Sequence, residues 1–347
     1  MSKSNIKNGL ELLKAKFLGR ISPFYVQLSV TDRCDSKCIY CWANFAKRGY
    51  SEMTLGEVKQ VVDELSDLGT WRINLVGGEP LLRSDIGKII SHIKSRKIDC
   101  TMTTNGHFIP EKIGEIKDID LLCVSLDGDE KTHDLNRGKG SYQKAIAGIE
   151  AAEENNIPLQ FATVITKNNL ESINHLMELG KRYNVLDGFA ILVNQTTPDG
   201  KVMCGSLASE AEYHAVMKAL IERKRRGEPI LFSEKSMRFS LAWPLGYEQD
   251  KVAGTKPRFK HPKCFAGRYY CYIDTDGRLY PCPLMVGIFD AKNCMESGVK
   301  EAFYPASKHD CKTCHSMCNN EFNYLFGLDP QVMFNNYLNY RRGYLTR

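Results

Sequence analysis

Three cysteines within eight residues, Cys34, Cys38 and Cys41, carry the first chemical signal of this chain. Their spacing is Cys-x3-Cys-x2-Cys, directly after the apolar run 24–30. Three thiolates in one loop can ligate three irons of a cubane and leave the fourth iron open to a small molecule. A structural zinc site wants four ligands, usually as two paired knuckles, and the fourth is missing locally. Three unrelated thiols are the remaining alternative.

The chain has thirteen cysteines, seven of them between positions 264 and 318. Its start lacks the pattern of a secretory signal, so a reducing compartment is expected, where such cysteines are metal ligands more often than disulfides. Cys264 and Cys282 are separated by seventeen residues that read as a β-hairpin around Asp274-Thr275-Asp276-Gly277. The two ends of that hairpin each deliver a thiolate to one point. Cys311-x2-Cys314-x3-Cys318 offers a knuckle from a distant loop. Four thiolates gathered this way complete the ligand set of a cluster and fix a region with little core of its own.

The elements that must position these groups alternate between β and α from residue 24 to residue 226. Strands are expected at 24–30, 72–76, 99–103, 121–126, 159–165 and 189–193, each an apolar or β-branched run of strand length. Helices separate them. Over 54–68, Thr54 and Glu57 form a capping box and Gly69 supplies the stop. Leu55, Val58, Val61, Val62, Leu65 and Leu68 make its apolar stripe. Further helices are expected to start near Ser84, Ser141, Asn169 and Ser209. Six βα units predict a parallel sheet with right-handed crossovers, too few for a closed eight-stranded barrel. The expected fold is α/β, a partial (βα)6 TIM-type barrel. The cysteine triplet then lies just past the C-terminal end of the first strand, where parallel α/β folds place their chemistry.

This combination resembles the radical SAM superfamily, and the resemblance covers most of the chain. The family's motif is CX3CXΦC with an aromatic Φ, here Tyr40. The resemblance implies that the open iron binds the amino and carboxylate groups of S-adenosylmethionine (SAM). It further implies that an electron from the reduced cluster releases a 5′-deoxyadenosyl radical, and that Tyr40 sits by the adenine. Gly77-Gly78-Glu79-Pro80 resembles the family's GGEP motif, whose backbone and Glu contact the methionine amino group. The physics agrees, since glycines permit close backbone approach and a carboxylate suits an ammonium. Thr103-Thr104-Asn105-Gly106 and Ser125-Leu126-Asp127-Gly128 end the third and fourth strands and look like family loops. That places Thr104 and Asn105 at the SAM site and Ser125 and Asp127 near the ribose or carboxylate, with ordinary turn chemistry as the alternative. His133-Asp134-Leu135-Asn136-Arg137-Gly138 matches a loop whose Arg137 pairs with the SAM carboxylate, a surface salt bridge being the alternative. Cys100 and Cys123, flanked by apolar residues, are expected in the core, and Cys204 receives no role.

The C-terminal part resembles the SPASM and shorter twitch extensions of that superfamily, through Cys264, the Gly277-x4-Cys282 spacing and the CxxC knuckle. It departs from full SPASM domains, which carry CxxCx5Cx3C, by showing only CxxCx3C. One auxiliary 4Fe–4S cluster is therefore expected beside the SAM-binding one. Its expected ligands are Cys264, Cys282, Cys311 and Cys314, with Cys318 able to replace one of the last two and Cys271 as a further alternative. Cys294 is read as unrelated. A zinc knuckle using His309 or His315 is the competing reading.

With 43% hydrophobic and 25% charged residues among 347, the composition is that of an ordinary globular chain. The net charge of +6 is mild, and the one cationic run, Arg223-Lys224-Arg225-Arg226, reads as a helix end. Neither argues for nucleic acid. No apolar run reaches the ~18 residues of a membrane span, so no integral membrane segment is expected. The expected layout is an N-terminal amphipathic helix at 1–20, the barrel at 21–230, a linker at 231–262 and the auxiliary-cluster domain at 263–347. The helix rests on Leu10, Leu12, Leu13, Phe17 and Leu18 and is expected to pack on the main domain, with membrane-surface contact as the alternative. The implied function is a cytoplasmic radical SAM enzyme that abstracts hydrogen from an organic substrate, with the auxiliary cluster assisting electron transfer. A flavodoxin or ferredoxin is the implied reductant. About twenty residues precede the first strand, too few for the leader-binding module of many peptide maturases. A small molecule is accordingly the expected substrate and peptide modification the alternative. A non-catalytic electron-transfer protein would need neither the GGEP stretch nor Tyr40.

Overall fold

A computed structural model gives the architecture, and it describes residues 3–41, 43, 48–49, 51–192, 206–247 and 249–341. Strands β1 (Tyr25–Ser29), β2 (Arg72–Val76), β3 (Asp99–Thr104), β4 (Leu121–Ser125), β5 (Leu159–Ile165) and β6 (Asp187–Ile191) pair in parallel, each with its neighbour in sequence. Side chains alternate across this sheet. One set, including Val26, Leu28, Ile73, Leu75, Met102, Val124 and Phe161, is fully buried in the core beneath the helices. The other set lines the inside of the partial barrel. β6 starts two residues before the apolar run 189–193, because Asp187 and Gly188 already pair with Phe161 and Ala162. Val193 and Cys204 lie outside the described residues.

Helix α1 (Lys3–Phe17) precedes the barrel, and α2 (Leu55–Asp67), α3 (Ile86–Ser95), α4 (Ile109–Ile116), α5 (Glu130–Arg137), α6 (Ser141–Glu154), α7 (Ile173–Arg182) and α8 (Glu210–Arg225) follow its strands. The capping box Thr54/Glu57 opens α2 and a second, Ser209/Glu212, opens α8. Asn169 does not cap α7, which starts after Ser172. Its side chain instead ties the loop, donating to Asp127 O at 2.7 Å and Val164 O at 2.8 Å. The cationic run 223–226 does end α8, with Arg223 paired to Glu228 and Arg225 to Glu222 and Glu234. Of the five apolar residues read as the packing stripe of α1, only Leu12 is buried.

The C-terminal part departs from a free-standing cluster domain. β8 (Tyr270–Ile273) and β9 (Leu279–Tyr280) form the expected antiparallel hairpin, but β8 also pairs in parallel with β1, from Tyr25↔Tyr270 to Leu28↔Ile273. The main sheet is therefore eight-stranded, in the order β6-β5-β4-β3-β2-β1-β8-β9. A two-stranded hairpin alone is marginal in water, and here Cys271 and Ile273 gain the barrel core. The segment read as a linker, 231–262, holds α9 (Glu234–Leu241) and β7 (Lys251–Ala253). β7 pairs with β10 (Cys311–Cys314), the cysteine knuckle itself. Short helices α10 (Cys294–Ser297) and α11 (Val299–Ala306) lead to the knuckle, and α12 (Met317–Phe326) and α13 (Pro330–Arg341) follow it. α12 forms the barrel floor: Phe322 stacks on Tyr25 with ring centroids 4.6 Å apart and lies 5.8 Å from Tyr270, both first residues of their strands.

Candidate active site

The segment from Cys34 to Cys41 leaves the C-terminal end of β1, and glycines bring the next strand end against it. Gly78 N donates to Thr31 O and Glu79 N to Arg33 O, both at 2.8 Å. A Cβ on Gly77 would lie 2.4 Å from Thr31 O, and one on Gly78 2.3 Å from Arg33 O. Only glycine permits this contact, and Gly77 also sits at φ +139°. The close approach is to the cysteine loop's own backbone.

Glu79 is fully buried. Its Oε1 accepts from Leu81 N at 3.0 Å and Thr104 Oγ1 at 2.7 Å, and its Oε2 from Asn105 N at 2.7 Å. Burial pushes its pKa up to about 7 against these hydrogen bonds. A carboxylate without exposed surface, holding three protein donors, braces the β2 loop to the β3 loop. Pro80 opens a short 3-10 turn behind it. Thr104 points its hydroxyl into the same brace. Asn105 reaches the cysteine loop, its Nδ2 donating to Asp35 Oδ1 at 2.7 Å and Ser36 Oγ at 3.0 Å. His107 Nδ1 lies 2.7 Å from Asp35 Oδ2. Burial acts to raise the Asp35 carboxyl, but the His107 and Asn105 hydrogen bonds outweigh it and hold it below its ordinary range.

A second brace comes from β4 and α5. The Arg137 guanidinium is buried and pairs with Asp127, Nε to Oδ2 at 2.8 Å and Nη2 to Oδ1 at 3.4 Å. The alternative of an exposed salt bridge is thereby corrected. Tyr40 Oη donates to the same Asp127 Oδ2 at 2.5 Å, and Arg137 stands 5.4 Å from the Tyr40 ring centroid. Arg137 Nη1 also points at Cys38 Sγ, 3.9 Å away. Asp127 itself is held by Val164 N at 3.1 Å and, through its own N–H, by His133 Nδ1 at 3.1 Å. Ser125 is buried at the end of β4, paired with Ala162. Burial raises the Cys34 thiol to about 12 and raises Cys38 as well; Cys34 feels Cys38, and Cys38 feels Cys41. The three thiols thus share one partly open site.

The tip of the C-terminal hairpin closes a third side. Arg48 bridges Asp32 Oδ1 at 3.2 Å and Asp274 Oδ1 at 2.5 Å. Thr275 Oγ1 donates to Asp32 Oδ1 at 2.5 Å and lies 3.1 Å from Ser29 Oγ. Gly277 closes that turn at φ +86°, its N–H donating to Asp274 O at 2.9 Å. Asp32, Asp35, Arg48, His107, Asp274 and Thr275 were not singled out from sequence. The signal available was polar residues flanking the cysteine motif and the Asp-Thr-Asp-Gly turn, each of which reads locally as loop chemistry.

Cys264, Cys282, Cys311 and Cys314 line one small cavity together with Tyr270, His309 and Asn319. Cys282 feels the charge of the other three, and burial raises all four thiols. The thiols surround a void rather than a point: among the described residues no three His, Cys, Asp or Glu converge closely enough for a single metal ion. A cubane, with one thiolate on each iron, requires that wider spacing. His309 has no lone pair to offer, because Nδ1 accepts from Cys311 N at 3.1 Å and Nε2 lies 2.9 Å from Ala266 O. His315 is buried among Trp243 and Tyr247, away from this cavity. The two alternative thiols are placed elsewhere. Cys271 pairs with Val26 on the core side of β8, facing Cys294. Cys318, in the first turn of α12, interacts with Cys123 and Glu321 at the barrel floor. Cys123 is itself corrected: it faces the lumen and accepts from Gln160 Nε2 at 3.6 Å, whereas Cys100 is a core residue as expected.

Residues 28–180 match the radical SAM superfamily. The AdoMet-dependent heme synthase of Methanosarcina barkeri is 27% identical over 282 residues, covering 77% of this chain and 79% of that protein. The mycofactocin maturase MftC of Mycobacterium tuberculosis is 26% identical over 288 residues, covering 81% and 70%. Among solved structures, Streptococcus suis SuiB bound to precursor peptide SuiA superposes with a TM-score of 0.66 at 18% identity, over 87% of this chain and 70% of that one. The superfamily match begins inside β1, runs through the cysteine loop and takes in the strand ends that brace it, so residues 28–180 are a radical SAM domain, and the chain is an enzyme of 4Fe–4S clusters and S-adenosylmethionine with a cysteine-rich C-terminal extension.

Proposed function

We propose that Cys34, Cys38 and Cys41 hold the SAM-cleaving cluster, that Cys264, Cys282, Cys311 and Cys314 hold one auxiliary cluster, and that the substrate is a peptide side chain presented in the barrel lumen. Held by Cys34, Cys38 and Cys41, a reduced 4Fe–4S cluster would supply the electron for reductive cleavage of SAM, and with it hydrogen-atom abstraction from the substrate. The chain's own part is positioning. Gly77, Gly78, Glu79 and Asn105 fix the cysteine loop from one side, and Asp127, Arg137 and Tyr40 fix it from the other. Arg137 beside Cys38 places a positive charge against a thiolate, which favours ligation. The shared Asp127 leaves Tyr40 as an aromatic wall with its hydroxyl already satisfied. Cys264, Cys282, Cys311 and Cys314 would fill all four iron positions of the auxiliary cluster and leave none for SAM, so that cluster would supply electron transfer rather than SAM cleavage.

The substrate class rests on the lumen. Above a floor where Arg72 and Asp99 pair at 3.2 Å, the strands project Gln27, Asn74, Thr101, Thr103, Cys123 and Gln160 inward. These are neutral hydrogen-bonding groups. Asn74 bonds Thr101 and Thr103, and Gln160 bonds Cys123, so these described residues make a neutral, polar lumen that suits a peptide better than a polycarboxylate, for which they provide no cation. MftC is a maturase, and SuiB holds a precursor peptide on the same fold, both in keeping with this reading. The test is anaerobic incubation of reduced, reconstituted enzyme with SAM and candidate peptides or carboxylated tetrapyrroles, read by mass spectrometry. A mass change in a peptide, coupled to 5′-deoxyadenosine, supports the proposal. Turnover of tetrapyrroles alone overturns it.

A further inference from the structure

Helix α1 has two apolar faces, and only one is used. Leu12 and Ala15 are buried against the body, while Leu10, Leu13 and Phe17, at i, i+3 and i+7, lie on the opposite face. Leu10 is 53% exposed, Leu13 47%, Phe17 94% and the adjoining Leu18 78%. Exposed single apolar residues are ordinary, but a contiguous helical stripe is not. Residues 3–20 carry five cations, Lys3, Lys7, Lys14, Lys16 and Arg20, against the single acid Glu11.

Where α1 ends, a groove of about 690 Å³ opens between it and the start of α13, and three cations line it: Lys16, Lys263 and Arg268. The ammoniums of Lys16 and Lys263 flank the same Phe265 ring, 5.2 and 5.6 Å from its centroid. Arg268 Nε is enclosed with no hydrogen-bond partner among the described residues. Among the described residues the one acid lining the groove, Asp329, is already engaged by Lys235. A groove with three gathered cations, adjoining an outward apolar stripe, has the two chemistries of a phospholipid interface: a phosphate to meet the cations and an acyl boundary to take the stripe.

We propose that this face, α1 with the Lys16–Lys263–Arg268 groove, docks the enzyme on an anionic phospholipid bilayer. α1 would lie in the plane of the surface with Leu10, Leu13, Phe17 and Leu18 at the acyl boundary, and the three cations would sit at the headgroup phosphates. The attachment is peripheral, since among the described residues no helix is long and apolar enough to cross a membrane. Charge selects the bilayer over a second copy of the chain, which would bring the same cations into opposition.

The experiment is co-sedimentation of reconstituted holoenzyme with vesicles of phosphatidylcholine, with and without phosphatidylglycerol. Binding is expected only with phosphatidylglycerol. Lys16→Gln should weaken it about five-fold, the weight of one cation near a surface. Leu13→Ser/Phe17→Ser should abolish it while iron content and circular dichroism stay unchanged, because both side chains are exposed. Equal binding to neutral vesicles, or undiminished binding by the double variant, overturns the proposal. So does a dimer in vesicle-free solution that the double variant converts to monomer, which would assign the stripe to a second copy.

Discussion

Replacing Glu79 with alanine is expected to destabilise the fold by about 3–5 kcal/mol, well beyond the loss of one ligand contact. The figure follows from its surroundings. The carboxylate has no exposed surface, and Leu81 N, Thr104 Oγ1 and Asn105 N all donate to it. Truncation leaves three enclosed donors, each costing about 1–3 kcal/mol when unsatisfied. The lower part of the summed range applies, because the Thr104 hydroxyl can rotate and a water can enter the space left behind. At ~2 °C per kcal/mol for a long chain, the thermal midpoint should fall by about 6–10 °C. Iron content after anaerobic reconstitution should fall with it, since the GGEP turn holds the backbone that precedes Cys34. The assay is thermal unfolding by circular dichroism beside an iron determination. An unchanged midpoint and full iron, combined with SAM binding weakened by about ten- to a hundred-fold, would refute the reasoning and return the carboxylate to the SAM ammonium.

Three further outcomes are expected. Holoenzyme should carry about eight irons per chain, falling to about four in Cys34→Ala/Cys38→Ala/Cys41→Ala with complete loss of 5′-deoxyadenosine formation; surviving SAM cleavage in that variant would sink the first site. Cys264→Ala/Cys282→Ala should lose the other half of the iron, keep some SAM cleavage and yield no product, whereas Cys271→Ala and Cys318→Ala should keep full iron; iron loss in Cys318→Ala would restore it as a ligand. Burial lifts Glu79 from its ordinary 4.5 to about 7, so the folded protein retains a proton that the unfolded chain releases. Stability therefore falls as pH rises through that window, by up to about 3 kcal/mol, and Glu79→Gln should flatten the dependence of the thermal midpoint on pH.

The barrel was legible because its strands are buried on both faces and its helices carry caps: β2 and β5 match the expected bounds and α2 its capping box. The four auxiliary thiols could be expected from their spacing. What spacing could not show was partnership at long range. Nothing local to Tyr270–Ile273 says that its second neighbour is β1, some 245 residues earlier, because that pairing is set by register and by the shared core. The brace made by Glu79 was hidden for the same reason. A carboxylate in a glycine turn looks ligand-facing until the β3 loop supplies its three donors. Cys318 fits the knuckle by count, yet α12 carries it past the cavity to the floor. The apolar residues of α1 were visible, but a pattern of that kind cannot say which face meets protein.

The parallel pairing of β8 with β1 bears on how such enzymes can be taken apart or recombined. A chain cut near residue 230 would uncover the β1 edge, with an open row of backbone donors and acceptors, and would strip Tyr25 of the Phe322 ring stacked on it. The excised barrel would be prone to edge-to-edge aggregation, and the excised extension would lose the strand that anchors its hairpin. The extension is therefore no detachable module: exchange between relatives, natural or engineered, has to carry the β1 face and the β8 hairpin as one unit of inheritance.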